Sequence, residues 1–137
     1  MKIKVPTCIE IYDLILINNY RFICMEYADQ KTLENKILES QKEKHKINND
    51  EIYDFFIELL LGLYAINEKG YMHEDIKSEN ILLKKVKMNE RIYEIAKLSE
   101  PGFSRKLDGK IGSKTPCGSP YYLSPELCND DEKYDFN

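Results

Sequence analysis

Tyr71-Met72-His73-Glu74-Asp75-Ile76-Lys77-Ser78-Glu79-Asn80-Ile81-Leu82-Leu83 is the stretch on which the reading of this chain turns. Neither a helical nor a two-residue hydrophobic period runs through it. His73, Asp75, Lys77 and Asn80 are interspersed irregularly with Ile76, Ile81 and Leu82. The aliphatic residues can anchor such a segment to a core while the polar ones leave it. Taken alone, the pattern fits an ordinary polar surface loop as well as a loop whose charged groups act together. The flanking sequence has to decide.

Upstream, Ile52, Phe55, Phe56, Leu59, Leu60, Leu63 and Ile66 recur at helical spacing. They predict a long helix, capped at Asn49 or Asp50, ended by Gly70 and mostly buried. Residues 40–49 are polar and Lys-rich and read as a solvated connection. Thr32 suits the N-cap of a shorter helix whose apolar stripe is Leu33, Ile37 and Leu38. Before it, residues 9–17 and 20–27 are rich in β-branched and aromatic residues and are separated by Asn18-Asn19. That is the signature of an antiparallel hairpin with an Asn-rich turn. Ala28-Asp29-Gln30 breaks the strand pattern. Downstream, residues 92–98 predict a short strand, and residues 101–121, rich in Gly, Ser, Pro and Lys, a long loop of the kind that is usually functional or mobile. Strands followed by helices make an α+β domain.

Three stretches in order carry a family resemblance. His73-Glu74-Asp75-Ile76-Lys77-Ser78-Glu79-Asn80 resembles the catalytic loop of Ser/Thr protein kinases. Lys97-Leu98-Ser99-Glu100-Pro101-Gly102-Phe103 sits where that family carries its D-F-G sequence after a short strand. Cys117-Gly118-Ser119-Pro120-Tyr121-Tyr122-Leu123-Ser124-Pro125-Glu126 resembles the end of the activation segment, a far more specific string than any turn requires. Upstream, Phe22-Ile23-Cys24-Met25-Glu26-Tyr27-Ala28 looks like the fifth strand and hinge. The wording is similar to NIMA-related kinases, and residues 115–120 to calmodulin-dependent-kinase relatives. Lys77 and Ser119 point to Ser/Thr rather than Tyr specificity.

The resemblance implies a partial protein kinase fold across residues 1–137. Residues 5–27 would be the last small-lobe strands, 28–31 the hinge, and 32–137 the large lobe through the activation segment. It implies ATP and Mg²⁺ as cofactors and a protein substrate with Ser or Thr. Phosphoryl transfer needs a carboxylate at the hydroxyl proton, a cation near the phosphoryl group and oxygen ligands for the metal. Asp75 would be the base, Lys77 the cation, and Asn80 and Glu100 the Mg²⁺ ligands. Met25 would be the gatekeeper behind the adenine, the backbones of Glu26 and Ala28 would bond its edge, and Leu82 would lie beneath it.

Three departures shape the expectation. Glu74 stands where most of the family has Arg, so it would repel an activation-loop phosphate. Glu100-Pro101-Gly102 replaces D-F-G, with a carboxylate one methylene longer and a proline that fixes its own φ. No counterpart of the glycine-rich loop or its lysine strand precedes Val5, and none of the large-lobe helix follows Asn137. These features predict an impaired, marginally stable fragment. The alternative reading is a pseudokinase, a kinase-derived module that binds a protein partner without chemistry.

Composition narrows the rest. The chain has 137 residues, 42% of them hydrophobic and 32% charged, and a formal net charge of −4. This balance gives no footing for nucleic acid or an anionic membrane as a partner. Cys8, Cys24, Cys117 and Cys128 are scattered, with no metal-binding spacing, and fit a reducing compartment. Residues 1–6 hold no apolar signal core, so a cytoplasmic or nuclear location is expected.

Overall fold

The computed structural model describes residues 5–99, 105–106 and 119–123. The expectations placed on Glu100, Pro101, Cys117 and Cys128, and most of the loop over 101–121, lie outside the described residues.

The first hairpin forms as the sequence predicts. Strand β1, Ile11–Ile17, pairs antiparallel with β2, Tyr20–Met25, bringing Ile17 opposite Tyr20 and Leu14 opposite Ile23. Asn18 and Asn19 take φ values of 47° and 66°, the left-handed pair that a tight two-residue hairpin turn demands. Asparagine reaches that region more readily than other residues with a Cβ.

Helix α1, Leu33–Glu43, starts at Thr32 in a reciprocal capping box with Asn35. It runs through residues 40–43, which composition alone assigned to a connection; the left-handed Lys44 ends it. Helix α2, Asn49–Asn67, is capped one residue earlier than expected, by Asn48, whose side chain accepts from the Asp50 amide. It stops three residues short of Gly70, which makes the following turn at φ 73°.

The expectation that most of α2 is buried is corrected. Of its residues only Phe55, Gly62 and Ile66 are fully buried, while Ile52, Phe56 and Leu60 are exposed. Periodicity reports which faces are apolar, not what covers them. Gly62 marks the closest approach. A Cβ there would stand 2.9 Å from a Leu98 methyl and 3.0 Å from the Thr7 carbonyl.

The stretch without periodicity contains more strand than the sequence suggested. Strand β3, Tyr71–Met72, is followed by a 3₁₀ turn over Ser78–Asn80 and then by β4, Ile81–Met88. Strand β5, Arg91–Leu98, returns along the full length of β4 in an antiparallel hairpin. The short β6, Arg105–Lys106, pairs with β3. Leu83, Ala96 and Leu98 of the β4–β5 hairpin join Cys8, Phe55, Ile66 and Ile81 in the core. The outer edge of β5 is also occupied. The Leu98 amide donates to the Thr7 carbonyl and the Leu98 carbonyl accepts the Ile9 amide, both at 2.9 Å, and Glu58 of α2 accepts the Ala96 amide at 2.7 Å. Among the described residues, no helix is long and apolar enough to cross a membrane.

Candidate active site

His73 opens the loop from a buried position. Its Nδ1 accepts the Asp75 amide at 3.4 Å, so the ring proton sits on Nε2, which donates to the Ser99 carbonyl at 3.0 Å. Between them Glu74 turns left-handed, at φ 62°. A residue with a Cβ pays roughly 1–2 kcal/mol there, and the turn aims Asp75 back across the loop.

Asp75 is buried and fully engaged. Oδ2 faces Lys77 Nζ at 3.0 Å and accepts from Asn80 Nδ2 at 2.7 Å. Oδ1 accepts from the Ser119 hydroxyl at 3.3 Å, and Lys77 Nζ donates to Ser119 Oγ at 2.8 Å. Burial works against ionisation of Asp75, but the bonds from Lys77, Asn80 and Ser119 outweigh it and hold the carboxyl below its ordinary value of 3.8. It is therefore a carboxylate at neutral pH. The Ser119 contact is the longest of its bonds, and it lies on the oxygen that Lys77 and Asn80 do not touch.

Asn80 is fixed from both sides. Its amide nitrogen donates to the Asp75 carbonyl at 2.9 Å as well as to Oδ2, and its backbone carbonyl accepts from the Ser99 amide and hydroxyl at 3.0 and 2.9 Å. With the nitrogen committed to Asp75, the amide has only its oxygen to offer a further partner, and that oxygen can only accept.

Met25 ends β2 and is exposed, whereas Leu82 on β4 is half-buried. The Glu26 amide donates to the Glu10 carbonyl at 2.8 Å. The Glu26 carboxylate turns away, onto Lys84 at 2.6 Å and the buried Lys97 at 2.9 Å. Burial pulls the Glu26 carboxyl upward, and the two lysines pull it further down, to a net value below the ordinary 4.5. Ala28 is half-buried and begins the run that fastens to β4. There Gln30 donates to the Leu83 carbonyl and Leu83 to the Lys31 carbonyl, both at 3.0 Å, and the Asp29 carboxylate accepts the Lys85 amide at 2.9 Å.

Asp75, Lys77 and Asn80 are thus brought together, with Ser119 closing the group. The Protein kinase domain family matches residues 1–137, the whole chain. The chain belongs to the protein kinase family. Its antiparallel strands followed by helices are a partial kinase fold, the end of the small lobe and the start of the large one. It is 34% identical over 128 residues to the human serine/threonine-protein kinase Nek5, covering 93% of this chain and 17% of that protein. Against the Danio rerio serine/threonine-protein kinase Nek8 the identity is 37% over 123 residues, 90% of this chain and 16% of the relative. Against the Caenorhabditis elegans serine/threonine-protein kinase nekl-2 it is 32% over 133 residues, 93% of this chain and 35% of the relative. The chain therefore spans between about a sixth and a third of the length of these kinases.

Sequence reasoning missed several members of this side-chain group and its surroundings. Ser119 was legible only as part of a specificity string, although the glycine and proline around it mark a turn able to approach another loop. Lys97 was read as part of a strand end; its ammonium is one of two that face Glu26. Ser78, Glu34 and Tyr122 carry no motif signal that links them.

Proposed function

We propose that the protein carrying these residues transfers the γ-phosphoryl group of ATP to Ser or Thr hydroxyls of proteins. One observation carries this reading: the Asp75 carboxylate, held ionised, with one oxygen on Lys77 and Asn80 and the other on an exchangeable hydroxyl contact. In that role Asp75 orients the acceptor hydroxyl and takes its proton. Lys77, already within 3.0 Å of Asp75, sets a positive charge beside the transferring group. Mg²⁺ would be held by the Asn80 amide oxygen and by Glu100, and would supply neutralisation of phosphate charge. The carbonyl of Glu26, the backbone of Ala28, and Met25 and Leu82 form the adenine side of the proposal. Residues 5–27, 28–31 and 32–137 would then be small-lobe strands, hinge and large lobe. Scattered free thiols at Cys8 and Cys24 support a cytoplasmic or nuclear setting.

The test is transfer of labelled phosphate by the full protein. Asp75→Asn should lower it by roughly 10²–10⁴-fold, the range ascribed to a positioned general base, with cooperative unfolding retained. No transfer by the unaltered protein in either Mg²⁺ or Mn²⁺ would sink the reading.

A second reading rests on Glu74 and Glu100-Pro101-Gly102: a kinase-derived module that binds a protein partner without chemistry. It predicts little or no stabilisation by Mg·ATP. A catalytic site should instead gain about 2.7 kcal/mol at a ligand concentration of 100 Kd.

A further inference from the structure

Ser78 is buried and holds three oxygen contacts: Glu34 Oε2 at 2.6 Å, Tyr122 OH at 2.9 Å and Glu79 Oε2 at 3.2 Å. A serine hydroxyl has one proton to give and two lone pairs to offer. An ionised carboxylate can only accept, so the Ser78 proton goes to Glu34, the shortest contact, and Glu79 stays secondary. Tyr122 must then be the donor to Ser78 Oγ. The result is a directional chain from the Tyr122 hydroxyl through the Ser78 hydroxyl to the Glu34 carboxylate.

Each end of the chain is fixed by local structure. Glu34 lies in the first turn of α1, set by the Thr32 capping box. Ser78 begins the 3₁₀ turn that presents Asn80. Tyr122 closes a second 3₁₀ turn, its amide donating to the Ser119 carbonyl at 2.9 Å. The turn that carries Tyr122 therefore also carries Ser119, the residue spanning Asp75 and Lys77. Two clasps hold one turn against the catalytic loop, and only the Ser119 clasp touches the candidate base.

We infer that Ser78 and Tyr122 are positioning residues: their hydroxyl chain to Glu34 seats the 119–123 turn so that Ser119 stays on Asp75 and Lys77. The catalytic consequence rests on the kinase reading above; the structural one does not. The Tyr122 side chain is about half exposed, at 52%, so removing its hydroxyl leaves the core intact.

The experiment uses Tyr122→Phe, Ser78→Ala, Ser78→Thr and the Tyr122→Phe/Ser78→Ala pair in the full chain. Hydrogen exchange at the Tyr122 amide reports seating, and kcat and KM for Mg·ATP and a Ser-containing peptide report catalysis. Tyr122→Phe and Ser78→Ala should each speed that exchange and lower kcat by about tenfold, the factor equivalent to one hydrogen bond of ~1.4 kcal/mol. The KM for ATP should not move. The pair should be no worse than either single change, because both break the same chain, and Ser78→Thr, which keeps the hydroxyl, should behave as the unaltered protein. Unchanged exchange in Tyr122→Phe, or losses that multiply in the pair, would overturn the inference. If the unaltered protein transfers no phosphate, the kinase reading fails while the exchange measurement still decides the clasp.

Discussion

The β1–β2 and β4–β5 hairpins turn through the same backbone conformation and end in different environments. Asn18 and Asn19 have φ 47° and 66°; Asn89 and Glu90 have φ 47° and 66°. Both hairpins are antiparallel and rich in β-branched and aliphatic residues. Yet Leu14, Ile15, Leu16, Ile17, Phe22 and Ile23 of the first are exposed on both faces, while Leu83, Ala96 and Leu98 of the second are core. The second hairpin repeats the contrast along its own length, because Met88 and Ile92 near its tip are exposed. A hairpin is thus specified locally, by its turn and strand propensity. Its burial is specified by what packs on it. Helix α2 and residues 7–9 cover the base of β4–β5, and that base is where Asn80 and Ser99 lock the 73–80 loop.

The largest effect should come from equal truncations in the two hairpins. Leu83 is 1% exposed and Leu16 69%. Leu83→Ala should cost about 2–5 kcal/mol in urea unfolding and Leu16→Ala within about 0.5 kcal/mol. Similar losses would break the comparison, because they would mean that β1–β2 is packed in solution.

The ion network between the hairpins comes next. Lys97→Met removes one of two cations from Glu26 and should cost roughly 1.5–3 kcal/mol at pH 7. The sign of its pH dependence follows from the lowered Glu26 carboxyl. The favourable term is complete above the ordinary value of 4.5 and is lost as pH falls through the folded value. The gap between Lys97→Met and the unaltered protein should therefore shrink on acidification below pH 4.5. A gap that stays constant would show that Lys97 acts by packing alone.

Gly62→Ala tests the close approach that buries β5. Alanine is the better helix former by about 1 kcal/mol, but its Cβ meets Leu98 and the Thr7 carbonyl. A net loss of about 1–2 kcal/mol is expected; a gain would mean that α2 moves freely over β5. The smallest effects sharpen the turns themselves. Glu90→Gly should stabilise by about 0.5–1 kcal/mol because Glu is poorly suited to its φ. Asn19→Gly should do less, since Asn tolerates the left-handed region.

Much of the site was legible because its residues lie close along the chain. His73, Asp75, Lys77 and Asn80 fall within eight positions, and the loop that presents them has too little room to scatter them. The first hairpin was legible from Asn18-Asn19. The second was seen only as a strand near residues 92–98, because Lys84, Lys85 and Lys87 blur the alternation of β4 and the Asn89-Glu90 turn lacks glycine. The burial of α2 was overestimated because seven apolar residues at helical spacing fix the width of a stripe and say nothing of its cover.

By itself the sequence determined the local matters: the turn at Asn18-Asn19, the Thr32 cap, the α2 period and the family strings around Asp75 and Ser119. Each depends on residues a few positions apart. Tertiary structure alone decided the long-range ones. It seated Ser119 on Asp75 across 44 positions, Lys97 on Glu26 across 71 and Glu34 on Ser78 across 44. A polar side chain buried or half-buried needs a partner wherever the fold supplies one, and only the packing of the loop, α1 and the two hairpins says which partner arrives.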